Sequence, residues 1–273
     1  MKSLSKHIIP TLSQPSYFID THCHLDMDSF AGDRAAVLTR AINNNVKKII
    51  SIAIDVRSSE AAINIARSTT QVSATIGIHP HEADQVSTKN YEQLTQLFTQ
   101  HSSHISAYGE IGLDYCKKHS SPHNQKKHFI KQLDLARELQ LPVIIHNRDA
   151  DDDTLGILAG AEPFHNGGIV HCFSGDSEFA SKVMDMGLTI SIPGIVTFAN
   201  ATTLHEVVEK VPLTSLVLET DGPFLAPHPM RGKRNEPCYI PYIAQKIAKI
   251  KHISIEQVAD VTTANAKRLF KDI

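Results

Sequence analysis

Tyr17-Phe18-Ile19-Asp20-Thr21-His22-Cys23-His24-Leu25-Asp26 opens apolar and β-prone and closes polar. That is the pattern of a short buried strand running out at a rim. Successive side chains along a strand alternate faces, so Asp20, His22 and His24 are expected on one face and Thr21 and Cys23 on the other. Two imidazoles spaced this way lie about 7 Å apart along the strand, and both can close on one metal ion if the strand end bends. A His-x-His pair alone equally suits hydrogen-bonded structural histidines. The pair gains weight because buried strands ending in a metal-competent residue recur downstream.

Lys48-Ile49-Ile50-Ser51-Ile52-Ala53-Ile54 is a nearly continuous β-branched run, typical of a strand buried on both faces. Similar strands are expected at 72–78, 105–111, 142–145, 168–170, 188–192 and 216–219. Helical spacing lies between them, at 33–45 with Asp33 as a candidate N-cap, then at 58–68 and 88–100. It continues at 122–139, which opens on a first-turn proline, and at 154–159, 176–186 and 201–210. Helices at 240–251 and 255–270 finish the chain. Eight buried strands alternating with helices predict an α/β protein, a single-domain (β/α)8 TIM barrel with an extra C-terminal helix over 16–273. Residues 1–15 are expected to form a loose N-terminal extension. An open doubly wound sheet fits less well, because no Gly-x-Gly-x-x-Gly follows the first strand.

At 273 residues and 41% hydrophobic content, one barrel with a sizeable core is affordable. A net charge of −2 argues against a general electrostatic nucleic-acid binder. An anionic substrate would need local positive charge or metal. Cys23, Cys116, Cys172 and Cys238 are scattered with no Cys-x-x-Cys spacing, which suggests neither a disulfide framework nor a structural zinc site and fits a reducing, cytoplasmic compartment. The first fifteen residues lack the apolar core of a secretory signal. No run of 18 apolar residues offers a membrane span, and no obligate protein partner is evident. The chain carries sixteen histidines. His101, His104, His119, His123, His128, His205 and His252 are expected to be ordinary surface residues.

In a barrel of this kind the site lies at the C-terminal ends of the strands. Strand one offers His22 and His24 there, strand three His79, strand four Glu110, strand five His146, strand six His171 and strand eight Asp221. Imidazole with carboxylate suits zinc, manganese, iron or cobalt, with magnesium also open. Six firm candidates exceed the usual three protein ligands of one catalytic ion, so two divalent ions sharing a bridging carboxylate are expected. Such a pair grips both the attacking and the leaving oxygen.

Arg148, and Arg231 with Lys233 and Arg234, are local positive charges of the kind a phosphate needs. A solvated basic loop is the plainer alternative. Pro227, Pro229, Gly232 and Pro237 shape that loop into a fixed excursion. His79 could contact substrate, or bond to backbone. Glu219 could support Asp221 or pair with an arginine. Asp114 and Tyr115 could orient the site or cap the loop after strand four. Cys23 and Cys172 are expected to face the helix layer as packed thiols.

The stretches Asp-Thr-His-Cys-His-Leu-Asp (20–26), Gly-Ile-His-Pro (77–80), Gly-Glu-Ile-Gly-Leu-Asp-Tyr (109–115), Pro-Val-Ile-Ile-His-Asn-Arg-Asp-Ala (142–150), His-Cys-Phe-Ser-Gly (171–175), Glu-Thr-Asp-Gly-Pro (219–223) and Arg-Gly-Lys-Arg-Asn-Glu-Pro (231–237) occur in this order. Together they resemble the TatD family of metal-dependent deoxyribonucleases, within the amidohydrolase-like barrels, over residues 18–270. The resemblance implies that His22 and His24 hold a first ion, His146 and His171 a second, and that Glu110 bridges them. It also implies that Asp221 binds metal and takes the proton of the attacking water. Gly222 stands where many relatives carry serine, His81 extends the His-Pro motif, and Asn147 stands where threonine is common. None of these removes a ligand.

The expected activity is divalent-metal-dependent cleavage of DNA phosphodiester bonds from strand ends, with Asp221 and Glu110 catalytic. A deep barrel mouth admits a strand end more readily than a duplex interior. With no tryptophan and with Phe173, Phe198 and Tyr115 scattered, no row of stacking aromatics stands out, and sequence-specific recognition is not expected. The alternative keeps the same site for a small amide, lactone or phosphoester. His146 occupies the strand-five position where a carbamylated lysine would serve amide cleavage, which with the arginines favours phosphorus. A non-catalytic metal-binding protein would have no use for the proton-accepting Asp221.

Overall fold

In the computed structural model, which describes residues 8–13, 15–270 and 273, the apolar runs pair side by side in chain order. They form β1 (Phe18–Cys23), β2 (Val46–Ser51), β3 (Val72–Ile76) and β4 (Ile105–Asp114). The round continues with β5 (Val143–Arg148), β6 (Gly168–Val170), β7 (Thr189–Ile192) and β8 (Leu216–Leu218). Every neighbouring pair is parallel. A bridge between Cys23 and Gly222 brings the last strand back to the first, closing the (β/α)8 barrel.

The helices are α1 (Asp28–Ala31), α2 (Arg34–Asn43), α3 (Val56–Ser68), α4 (Thr88–His101) and α5 (Pro122–Glu138). They are followed by α6 (Asp151–Ala161), α7 (Ser177–Asp185), α8 (Thr202–Lys210), α9 (Ile240–Lys251) and α10 (Ile255–Leu269). The four-residue α1 escapes the sequence reading because it is too short for periodicity to register. Local chemistry starts several helices. Capping boxes open α3 at Asp55/Ser58 and α10 at Ser254/Gln257, leaving fewer orphan N–H groups. Asp33 precedes α2 but makes no cap hydrogen bond; its carboxylate binds Arg40 and Arg234 instead.

Two apolar layers hold the barrel. The larger lies between sheet and helices and includes Phe18, Ile49, Tyr108, Ile145 and Leu216. A smaller one joins Ile19, Ile50, Ala107, Ile144, Ile169 and Val217 to Ala266, Leu269 and Phe270 at the end of α10. The extra helix therefore packs against the starts of the strands, away from the site. Burying Phe270 there is worth about 1.5–3 kcal/mol. Within the expected loose extension, residues 1–7 and 14 lie outside the described residues. Leu12 is buried against the core and Ser13 donates to Glu256 of α10 at 3.0 Å, so this part of it is packed rather than loose.

Candidate metal centre

Glu110 stands at the middle of the convergence. Its Oε2 lies 3.4 Å from His22 Nε2 and 3.9 Å from His24 Nε2. Its Oε1 lies 2.6 Å from His146 Nδ1 and 2.7 Å from His171 Nε2. One carboxylate thus faces a pair of imidazoles from each of its oxygens. Asp221 closes the β1 side, with Oδ1 3.4 Å from His24 Nε2 and 3.7 Å from His22 Nε2. Within each pair the ring nitrogens face one another, at 3.3 Å for His22 and His24 and 3.2 Å for His146 and His171. Converging nitrogen and oxygen lone pairs of this kind fit a cation. The donors fall into the groups His22/His24/Asp221, His22/Glu110/His171 and His79/Glu110/His146, each within 4.8 Å. All six sequence-predicted ligands come together.

Strand ends deliver these side chains. Gly112 has φ +142°, and a Cβ there would lie 2.0 Å from the His146 carbonyl oxygen, so only glycine lets β4 and β5 approach closely enough for Glu110 to meet His146. β1 is not a strictly alternating strand. Its register against β2 shifts between Asp20 and Cys23, and Asp20 does not join His22 and His24. Its carboxylate accepts the His22 and Thr220 N–H groups and the Thr220 hydroxyl, tying β1 to the loop after β8.

His171 is backed by Glu219, whose Oε1 lies 3.5 Å from Nδ1 and accepts the Cys172 N–H at 2.7 Å. Glu219 therefore serves neither Asp221 nor an arginine. Asp114 does both things expected of it. Its Oδ2 meets His146 Nε2 at 3.3 Å and His81 Nε2 at 2.8 Å, while Oδ1 accepts the Lys117 N–H. Nδ1 of His79 accepts the His81 N–H at 3.1 Å, which puts the proton of the neutral ring on Nε2. That Nε2 faces Glu110 Oε1 at 3.5 Å, so His79 presents a donor there rather than a lone pair.

Comparison with known proteins places this geometry. The family profile described as TatD related DNase matches residues 19–271. The chain belongs to the TatD family. It is 42% identical over 256 residues to the uncharacterized metal-dependent hydrolase YabD of Bacillus subtilis, covering 92% of this chain and 98% of that one. It is 34% identical over 257 residues to the 3'-5' ssDNA/RNA exonuclease TatD of Salmonella typhimurium, covering 92% and 98%. The crystal structure of YjjV, a TatD homologue of Escherichia coli, superposes with a TM-score of 0.89 at 31% identity, covering 94% and 98%. As a TatD-family member the chain is a metal-dependent hydrolase acting on ester bonds.

The electrostatics of this TatD-family site pull positive charge inward. Burial alone would raise the Glu110 carboxyl, but the charge on His171 and hydrogen bonds from His146 and His171 hold it well below its ordinary value. Burial is likewise outweighed at Asp221, which is lowered by a hydrogen bond from His24 and the charges of His22, His24 and His171. Burial disfavours a protonated His171, yet Glu110 and Glu219 raise it well above its usual value. His79 is pushed down to about 4 by burial, against the pull of Glu110, and stays neutral at physiological pH.

The rim departs from the sequence reading in three places. Cys23 packs in the outer core as expected. Cys172 instead has φ +44°, with its N–H on the Glu219 carboxylate; β6 ends at Val170, so strand alternation no longer governs it. Arg234 is not free for substrate, because Asp33 holds it at 2.7 and 2.8 Å and Glu236 at 2.9 Å. Tyr115 donates to Asp153 and Asn147 to Asp151, fastening α6 rather than lining the site. Arg148 and Arg231 remain exposed, the latter 4.9 Å over the Phe198 ring. Sequence reasoning missed Asn235, which is fully buried and donates to the Thr220 carbonyl at 2.7 Å. Its position inside the 231–237 motif was the available signal.

Proposed function

We propose that the chain is a two-metal exonuclease that hydrolyses phosphodiester bonds at the ends of single-stranded DNA. The observation that carries this reading is Glu110, with one imidazole pair at each carboxylate oxygen. In this reading His22 and His24 would hold one divalent ion and His146 and His171 the other, with Glu110 a ligand available to both. Ions held there would supply Lewis acidity toward a phosphoryl oxygen and lower the pKa of a nearby water. Asp221, ionised and at the edge of the cluster, accepts the proton of the water that attacks phosphorus. The bond from phosphorus to the leaving sugar oxygen breaks, and that oxygen ends protonated. The His79 Nε2–H is placed to donate to an oxygen near Glu110. Arg148 and Arg231 are the free rim cations for neighbouring phosphates, with Glu219 and Asp114 holding His171 and His146 in orientation.

The name of the Salmonella relative, a 3'-5' ssDNA/RNA exonuclease, supports the substrate class. The test is digestion of end-labelled single strands, with metal content measured alongside. Stepwise shortening from one end that is lost in Asp221→Asn and on chelation is the expected result. Indifference to DNA and RNA with any divalent metal, alongside turnover of a lactone or amide, would overturn the reading.

A further inference from the structure

Among the described residues the exposed large apolar side chains are Ile8, Ile42, Ile130 and Phe224. Phe224 stands apart because it borders the metal centre. It is 49% exposed, and its ring meets that of His24 edge-to-face at a centroid distance of 6.1 Å. Its backbone is fixed to the centre on several sides. The Phe224 N–H donates to the Asp221 carbonyl at 2.8 Å, and the Asp221 N–H to the His22 carbonyl at 2.9 Å. His24 N–H donates to the Gly222 carbonyl and Asn235 N–H to the Pro223 carbonyl. The loop after β7 presses from behind, where a Cβ on Gly194 would lie 2.4 Å from the Leu225 carbonyl oxygen. Phe224 is therefore an aromatic ring held out on a rigid turn, three residues from the proposed proton acceptor.

Leaving half a phenylalanine in water forgoes burial energy, and a rigid mount removes the chance of folding it away. A partner of flat, apolar and sequence-tolerant shape fits that position. Resting on the nuclease reading above, we propose that Phe224 is the stacking platform for the nucleobase of the nucleotide whose phosphate occupies the metal centre. Any base offers a π-face, so the platform needs no base-specific donor. The same pair of loops continues the track away from Phe224. His228 N–H donates to Thr197 Oγ1 at 2.7 Å, and next to Thr197 the Phe198 ring lies under the Arg231 guanidinium. One loop cluster thus carries an exposed aromatic ring bordering the metal centre and an exposed cation.

The test compares single strands ending in a normal nucleotide with strands ending in an abasic one. The wild-type enzyme is expected to prefer the base-bearing end by about tenfold or more in kcat/KM, mostly through KM. Phe224→Ala should collapse that ratio toward one, and Phe224→Trp should restore it. Binding is read separately in metal-loaded Asp221→Asn, using strands with 2-aminopurine at either end. Stacking quenches the probe, and adding Phe224→Ala should abolish the quench. If Phe224→Ala keeps both preference and quench while the wild type cleaves DNA, the platform is refuted and the nuclease reading stands. If Phe224→Ala depresses both substrates equally, Phe224 is a packing residue and the platform is likewise refuted. If the wild type cleaves neither strand yet quenches the probe through Phe224, the nuclease reading falls and the platform stands.

Discussion

Glu219 ties metal affinity to folding stability through one buried carboxylate, whose two oxygens have different surroundings. The residue is fully buried. Oε1 accepts the Cys172 N–H and approaches His171 Nδ1, whereas Oε2 has no hydrogen-bond partner among the described residues. Glu219→Gln keeps the volume and an acceptor for Cys172 but removes the charge. A carboxylate behind a ligating imidazole fixes the ring and raises its basicity, and losing such a partner typically costs about 10–100-fold in metal affinity, or about 1.4–2.7 kcal/mol. The metal-free protein should lose less. Weakening the bond from the Cys172 amide costs about 1 kcal/mol, and the attraction between the carboxylate and a protonated His171 is lost with it. Stability of the stripped protein should therefore fall by about 1–3 kcal/mol. Chelator competition measures the affinity, and urea unfolding of the metal-free protein measures the stability. Unchanged affinity would show that Glu219 does not tune His171. Unchanged or raised metal-free stability would show that the Glu219–His171 pair does not support the fold.

Asp221→Asn should lower kcat/KM by about 10²–10⁴-fold while elemental analysis still finds bound metal; surviving turnover would remove Asp221 as proton acceptor. His79→Ala should leave metal content unchanged and reduce kcat by about 10²–10³-fold, the usual cost of one lost donor at a reacting oxygen. Loss of an ion would mean that His79 Nε2 ligates after all. A pH effect follows from Asp33, whose carboxyl is held well below its ordinary 3.8 by hydrogen bonds from Arg234 and Arg40. A lowered carboxylate stabilises the fold above the ordinary value, and that contribution is lost as pH falls through the depressed one. Proteolysis of the 227–237 loop should accelerate below about pH 4 in the wild type, and already at neutral pH in Asp33→Asn. Equal acid sensitivity in both would place the acid-labile contact elsewhere.

The barrel could be read from the sequence because parallel strands buried on both faces leave long apolar runs, as at Ile49–Ile52 and Ile144–Ile145. The candidate ligands could be proposed from the sequence because a closed sheet sends its strand ends to one rim, so His22, Glu110, His146 and Asp221 needed only their place in the chain. What escaped depends on contacts the chain order does not display. Strand alternation assigned Cys172 to the helix layer, but the ladder ends at Val170 and a positive φ takes the residue out of that alternation. Arg234 looks like a phosphate contact until Asp33, some two hundred residues away, is seen to hold it. No sequence pattern singles out Phe224, and only the fold shows it exposed.

Cys172, Arg234 and Phe224 all lie past a strand end, in loops, whereas Asp20, misplaced on β1, sits at a register shift of that strand. Residues on strands inherit their positions from the barrel, so the chemistry they perform is written locally. Residues in loops are placed by tertiary partners, and it is they that meet the substrate. A sequence of this family therefore reveals which bond class it can attack sooner than which molecule carries that bond. The discriminating residues are to be sought at the rim, where Phe224, Arg231 and Arg148 stand, rather than among the six ligands.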